Sequence, residues 1–207
     1  MTDRNSFQSY FGVSRETIAR LETYEALLKK WNSAINLVSP RTISDIWSRH
    51  FLDSAQIFSL LPENAKSWAD IGSGGGFPGM VVAILAAEKR PDLFVTLVES
   101  DRRKAAFLMT AAREMSLKLQ VVSDRIEAIS PLNADVLSAR ALAPLADLLA
   151  FAERHLAATG VCLFPKGARW REELAEAQKT WSFMMESHKS RTDSEAVILK
   201  IEGIERV

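Results

Sequence analysis

A cluster of glycines at 72, 74, 75, 76 and 79, the carboxylates of Glu99 and Glu127, the guanidinium of Arg140 and the ammonium of Lys166 are the residues whose types and spacing suit work on a nucleotide-like ligand. The run Asp70-Ile71-Gly72-Ser73-Gly74-Gly75-Gly76-Phe77-Pro78-Gly79 follows the apolar Trp68-Ala69 and leads into a helical stretch over residues 80–88. Glycine lets the backbone take positive φ and approach a ligand closely, and the following helix aims its unpaired N–H groups at the same place. A dinucleotide fingerprint needs a glycine at position 77, three residues after Gly74, and this chain has Phe77 there. A glycine-rich loop that only turns the chain is the bland alternative.

The wider loop of Gly72, Gly74 and Gly76, with no obvious pyrophosphate seat, is the form found in S-adenosylmethionine-dependent methyltransferases. Glu99 stands roughly twenty residues beyond it, where a carboxylate can accept from a ribose diol. Ile126 and Glu127 suit an adenine wall with an acidic neighbour, or a solvated turn. Arg140 follows an apolar strand and can pair with a carboxylate of the ligand or of the protein. Lys166, between Pro165 and Gly167, faces the mouth of the cleft or sits in a surface turn. Methyl transfer to a neutral ring nitrogen such as purine N7 needs no general base, only in-line placement and stabilisation of the moving charge. The absence of a Ser/His/Asp or Cys/His arrangement fits that chemistry. So does the lack of an Asn/Asp-Pro-Pro-Tyr motif, typical of exocyclic amine methylation, and of a nucleophilic Pro-Cys.

The elements that must position these residues read as an α/β fold. From residue 67, strands expected at 68–71, 94–98, 119–122, 135–138 and 161–164 alternate with helices at 78–87, 102–115 and 145–156, the signature of a parallel sheet. The strands at 182–187 and 196–202 are joined too briefly to be parallel, so they form an antiparallel hairpin and bring the sheet to seven strands. Ala105, Ala106, Leu108, Met109 and Ala112 are the expected inner face of the helix over 102–115. In an open sheet of this kind ligands bind beyond the carboxyl ends of the strands, which gathers Gly72–Phe77, Glu99, Glu127, Arg140 and Lys166 into one site.

Residues 1–64 read as a helical lobe and 65–207 as the sheet-bearing core, packed as one unit. In the lobe, Ile18, Leu21, Tyr24, Leu28, Trp31 and Ile35 share one face of a helix from an N-cap at Ser14 to near Asn36. A second helix is expected over 43–60, closed by Pro62. It carries Arg49-His50-Phe51-Leu52-Asp53-Ser54, where Arg49 and Asp53 are an i,i+4 pair. A surface salt bridge with a capped histidine is the plain reading of that cluster, and a functional group of residues the other.

Lysine plus arginine equals aspartate plus glutamate, 26 each, so the overall field draws in no polyanion. A local basic patch can still dock a preformed RNA surface; Lys29-Lys30, Arg41, Arg49 and Arg102-Arg103-Lys104 are the candidates. No apolar run reaches the ~18 residues of a membrane span and no signal segment leads the chain, so cytoplasm is expected. The single cysteine, Cys162, reads as a buried strand thiol. No metal-ligand spacing occurs.

Asn36-Leu37 with Ser39, Arg49-His50-Phe51-Leu52-Asp53-Ser54, the loop at 70–79, Thr96-Leu97-Val98-Glu99-Ser100, Arg125-Ile126-Glu127 and Ser138-Ala139-Arg140-Ala141 together resemble the bacterial 16S ribosomal RNA guanine-N7 methyltransferase family, also called the glucose-inhibited division protein B family. The resemblance runs from about residue 15 onward. It implies a class I, Rossmann-like methyltransferase core that uses S-adenosyl-L-methionine on N7 of one guanine in the decoding-region loop of 16S RNA. It implies cofactor contacts at Gly72, Phe77, Ile126, Glu127 and Arg140, with Lys166-Gly167 matching the Lys-Gly after the family's fifth strand, and an RNA side framed by the lobe with Arg49, His50 and Asp53. The residues themselves add Gly74 and Glu99 on the cofactor side, Glu99 standing where many members have aspartate, and Arg41, Arg102, Arg103, Lys104 and Lys166 toward the RNA. The even net charge suggests a structured small-subunit particle as substrate, and a monomer is expected. Arg140, His50 and Lys166 are the candidates nearest the chemistry. Gly75, where relatives often carry alanine or proline, is expected only to add flexibility. A methyltransferase of small molecules or proteins, an NAD-type dehydrogenase and a non-catalytic RNA-binding protein are the rival readings.

Overall fold

Strands and helices alternate from residue 67 as expected, in a computed structural model that describes residues 4–207. The strands are β1 (Ser67–Ile71), β2 (Phe94–Val98), β3 (Leu119–Val122), β4 (Ala134–Ser138), β5 (Leu156–Lys166), β6 (Trp181–Lys189) and β7 (Val197–Arg206). They form one seven-stranded sheet in the order β3-β2-β1-β4-β5-β7-β6. β1 to β5 run parallel, and β7 inserts antiparallel between β5 and β6. β7 takes the inner place because Val197, Ile198, Leu199 and Ile201 are all buried. β6 is left as the edge, with a register shift between Ser182 and Met184 of the kind that discourages further pairing. The strand order reverses between β1 and β4, which makes the crevice beyond their carboxyl ends the switch point of the sheet.

The helices are α1 (Arg4–Phe11), α2 (Arg15–Asn32), α3 (Asp53–Ala55), α4 (Gly79–Lys89), α5 (Arg102–Glu114), α6 (Leu145–His155) and α7 (Trp170–Ala177). α4 is buried at every position from Gly79 to Ala86, since it lies between the sheet and the N-terminal helices. A helix apolar on all sides is stable only when enclosed in this way. One hydrophobic cluster therefore runs from Phe7, Leu21 and Tyr24 through Met80 and Ile84 to Leu97 and Phe107, joining lobe and core. A second, on the opposite sheet face, gathers Leu145, Leu149, Phe164, Trp170 and Leu199. Cys162 is fully buried within it, as its apolar strand implied.

Several elements depart from expectation. α1 precedes the expected first helix and buries Phe7 against Trp47. Ser14 does cap α2, accepting from the Thr17 N–H, but α2 ends at Asn32 instead of Asn36. The Asn32 carboxamide accepts the Leu37 and Val38 N–H groups at 2.9 and 3.0 Å, which stabilises a turn where more helix was expected. The helix over 43–60 is broken into a 3-10 turn (Ile43–Asp45), a π-helical segment (Trp47–Leu52), the single turn α3 and a 3-10 stretch (Gln56–Leu60). π-helical segments often mark functional sites, and this one carries His50. On α5 the buried residues are Ala105, Phe107, Leu108, Ala111 and Ala112, while Ala106 and Met109 face outward. Ala105, Leu108 and Ala112 are thus inner as expected, and Phe107 and Ala111 take the places expected of Ala106 and Met109. α6 stops at His155 and β5 starts at once with Leu156, five residues before the expected strand.

Candidate cofactor site and adjoining cavity

β1 delivers the glycine loop to the switch point. Gly72, Gly74 and Gly76 all take positive φ. Gly72 has φ +63°, and a Cβ built there would lie 2.5 Å from Leu142 Cδ1. Only glycine meets both demands. Gly75 is close-packed as well, since a Cβ there would stand 2.8 Å from the Leu37 carbonyl oxygen. The expectation that Gly75 merely adds flexibility is thus corrected: in this chain a side chain there would require the Leu37 backbone to shift.

Glu99, at the end of β2, is buried; its carboxylate accepts the Gly74 N–H at 2.7 Å and the Asp101 N–H at 2.8 Å. A carboxylate has about four acceptor positions, so capacity remains for a diol. Ile126, beyond β3, is buried, and its carbonyl accepts from His155 Nε2 at 3.0 Å, while Glu127 is exposed at the rim. His155 was not singled out by sequence; it sits at the end of α6, distant in the chain from the residue it pins. These groups bring a carboxylate, an apolar residue and the glycine loop to the ends of β1, β2 and β3, a set whose chemistry suits a nucleoside.

The loop is held from beneath by buried polar bonds. Trp68 Nε1 donates to Ser138 Oγ at 2.8 Å, and Ser138 Oγ donates to Asp70 Oδ1 at 2.7 Å. The Gly79 N–H donates to Asp70 Oδ2 at 3.2 Å. Burial pushes the Asp70 carboxyl up to about 6 despite these donors. From the lobe side, the Tyr24 hydroxyl donates to the Gly75 carbonyl, and its ring packs on Phe51 and Phe77. Helical periodicity placed Tyr24 on the buried face of α2 but carried no sign of this bond.

Arg140 turns toward the lobe. Its guanidinium donates to Asp53 Oδ2 at 2.9 Å, lies 3.1 Å from His50 Nδ1, and covers the Phe77 ring at 4.9 Å. The partner it finds is thus a protein carboxylate. The expected Arg49–Asp53 surface pair does not form: Arg49 is exposed, and Asp53 is taken by Arg140, Thr192 and Gln56. His50 Nε2 lies 2.8 Å from Thr42 Oγ1. With Arg140 donating to Nδ1, the proton belongs on Nε2 and points to Thr42.

Burial first, then the Arg140 charge, push the His50 imidazole down from 6.5 to about 4, against the opposing pull of Asp53 and Asp45. Below pH 6.5 the unfolded chain binds a proton that the folded site refuses. The stabilising contribution is therefore full above about 6.5 and is lost as pH falls toward about 4. Chemical denaturation of His50→Gln between pH 7 and 4 should show a shallower loss than the parent; parallel curves would exclude this role.

A cavity of about 380 Å³ opens beyond β4 and β5, lined by Arg49, Asp53, Arg140, Lys166, Glu173 and Thr192 among others. Lys166 ends β5 with its side chain nearly buried, donating to Glu173 at 2.7 Å and to the Ala143 carbonyl at 2.9 Å. It lines the cleft and is not a surface-turn lysine. The cation candidates fall into separate places. Arg49 and Lys166 border the cavity, whereas Arg102, Arg103 and Lys104 head α5 beside Glu99, with Asp101 capping that helix and facing Arg103 at 3.6 Å. Arg41 is exposed, and Lys29 is paired with Glu25 at 2.6 Å. Among the described residues no group of His, Cys, Asp and Glu suits a metal ion, and no helix is long and apolar enough to cross a membrane.

The family model described as rRNA small subunit methyltransferase G matches residues 17–200. Two proteins named ribosomal RNA small subunit methyltransferase G are similar over nearly the whole length. The one from a Ruegeria species is 57% identical over 94% of this chain and 95% of its own. That from Ruegeria pomeroyi is 54% identical over the same shares, 94% and 95%. Among solved structures, a ribosomal protein L11 methylase from Lactobacillus delbrueckii shares the fold at a TM-score of 0.57 and 16% identity, covering 72% of this chain and 75% of that one.

Proposed function

Because the chain belongs to the rRNA small subunit methyltransferase G family, we propose that it methylates N7 of one guanine in the decoding-region loop of 16S ribosomal RNA, with S-adenosyl-L-methionine as donor. The observation that carries the reading is the pairing of two sets of groups at the switch point. Glu99 and the glycine loop it holds stand beyond β1 and β2, and a cavity rich in both charges lies beyond β4 and β5. When bound, S-adenosylmethionine supplies a sulfonium methyl that the N7 lone pair takes as the carbon–sulfur bond breaks onto sulfur, leaving S-adenosylhomocysteine and a positively charged base.

The residues of this chain hold and orient; none has to move a proton. Glu99 would accept from the ribose hydroxyls, Ile126 would wall the adenine with Glu127 at its edge, and Gly72 and Gly74 would admit the ligand to the backbone. Phe77, under the Arg140 guanidinium and beside His50, stands where the two sets of groups meet. His50 stays neutral at working pH with both ring nitrogens engaged, so it has no proton-transfer duty. The lobe of residues 1–64 would frame the RNA with Arg41 and Arg49, and Arg102, Arg103 and Lys104 would meet phosphates on the β2 side.

The balanced net charge suits a structured small-subunit particle in the cytoplasm, met by a monomer. Mass mapping of 16S RNA from cells lacking the protein should show one N7-methylguanine missing, restored by the wild-type chain. Label from the methyl donor appearing only in protein or small-molecule fractions would overturn the assignment. Equal rates on naked 16S RNA and on intact subunits would overturn the particle preference alone.

A further inference from the structure

We propose that the Lys166–Glu173 ion pair reads the O6/N1 edge of the target base and so selects guanine over adenine, an inference that rests on the function proposed above. The pair stands in the wall of the cavity over β4 and β5, across the switch point from Glu99 and Gly74.

Much of the charge in that cavity is already committed. Asp53 already accepts three hydrogen bonds, from Arg140 on one oxygen and from Thr192 and Gln56 on the other. Arg140 is oriented toward the N-terminal segment by Asp53 and His50. The Lys166–Glu173 pair is held on the other wall. An ammonium has three protons, and Lys166 gives two of them, to Glu173 Oε2 at 2.7 Å and to the Ala143 carbonyl at 2.9 Å. Glu173 Oε2 also accepts the Leu145 N–H at 3.0 Å, while Glu173 Oε1 has no partner among the described residues. The wall thus presents one unused N–H donor beside one unused carboxylate acceptor. Guanine carries the complement, an O6 acceptor next to an N1–H donor. Adenine reverses the order, with an amino donor at C6 and a bare N1, and would meet Lys166 and Glu173 with both bonds unmade.

The same contact serves the reaction. O6 neighbours N7 on the purine, so a base gripped at O6 has its N7 placed as well. A carboxylate against N1–H also favours the positive charge that the ring gains on methylation.

The test uses the full-length protein and small subunits purified from cells that lack it, carrying either guanine or adenine at the target position. Wild-type protein should bind guanine-bearing subunits more tightly, and Glu173→Gln should lose about tenfold to a hundredfold in kcat/KM on them. The same variant should lose the binding preference for guanine over adenine. Its affinity for S-adenosylhomocysteine should stay within about twofold, with the circular dichroism spectrum of the folded protein retained; Glu173→Asp should restore part of the rate. Should Glu173→Gln fail to fold, Lys166→Met is read by the same measures. Retained kcat/KM, a retained guanine preference, or a parallel loss of S-adenosylhomocysteine affinity would overturn the pair as the reader. Wild-type protein placing no methyl group on guanine-bearing subunits would instead defeat the proposed function itself.

Discussion

Gly72→Asp should lower affinity for S-adenosylhomocysteine by at least about a hundredfold and end methylation, with the fold retained. Three effects add at this one position. The backbone sits at φ +63°, where a side chain costs on the order of 1 kcal/mol or more. A Cβ would meet the tip of the exposed Leu142 side chain at 2.5 Å, so that side chain has to swing aside, at a cost smaller than the backbone strain. The new carboxylate would also stand in the loop that Glu99 already holds through the Gly74 N–H, placing like charges together there. Calorimetry with S-adenosylhomocysteine, alongside circular dichroism, reads the result. Gly72→Ala keeps the strain and the clash without the charge and should fall between parent and Gly72→Asp. Unimpaired binding by Gly72→Asp would remove the glycine loop from the cofactor site.

Arg140→Met should destabilise the protein by about 2–3 kcal/mol and reduce kcat/KM by about tenfold or more. Severing a fully buried pair costs about 3–5 kcal/mol. Here the side chains of Arg140 and Asp53 keep 19% and 20% of their exposure, so a smaller loss is expected. The cation is shared by Asp53, His50 and Phe77, and its removal leaves one carboxylate half-enclosed and one ring uncovered. Asp53→Asn in the Arg140→Met background should regain part of the stability, and the double-mutant cycle should show coupling of about 1 kcal/mol or more. The His50 imidazole should titrate nearer its ordinary range once the Arg140 charge is gone, which nuclear magnetic resonance can follow. Additive losses with no movement of His50 would show that the cluster is not one unit.

The strands and the glycine loop were legible because each is written locally. Trp68–Ile71 is mostly apolar and runs into a glycine-rich turn, and the switch-point rule then assigned Glu99, Ile126, Arg140 and Lys166 to one edge of the sheet. The N-terminal segment was read less well. Residues 43–60 have helical spacing, yet they fold into 3-10, π and α turns, with Asp53 accepting from Arg140 and Thr192, Gln56 accepting the Arg191 N–H and His50 bonded to Thr42. Tertiary bonds outweighed a propensity worth only tenths of a kcal/mol per residue.

Periodicity, turn chemistry and charge order along the chain determined the α/β class, the hairpin, the Ser14 cap, the buried thiol of Cys162 and the kind of ligand the glycine loop suits. Only the tertiary structure decided who pairs with whom. Arg140 finds Asp53 across 87 positions, Tyr24 finds the Gly75 carbonyl across 51, and the β6–β7 turn finds Gln56 across 135. A side chain's partner is fixed by the packing of elements that share no local signal, whereas an element's type is fixed by its own spacing. Lys166 was placed at the sheet edge by its own strand, but its pairing with Glu173 belongs to the second kind of information.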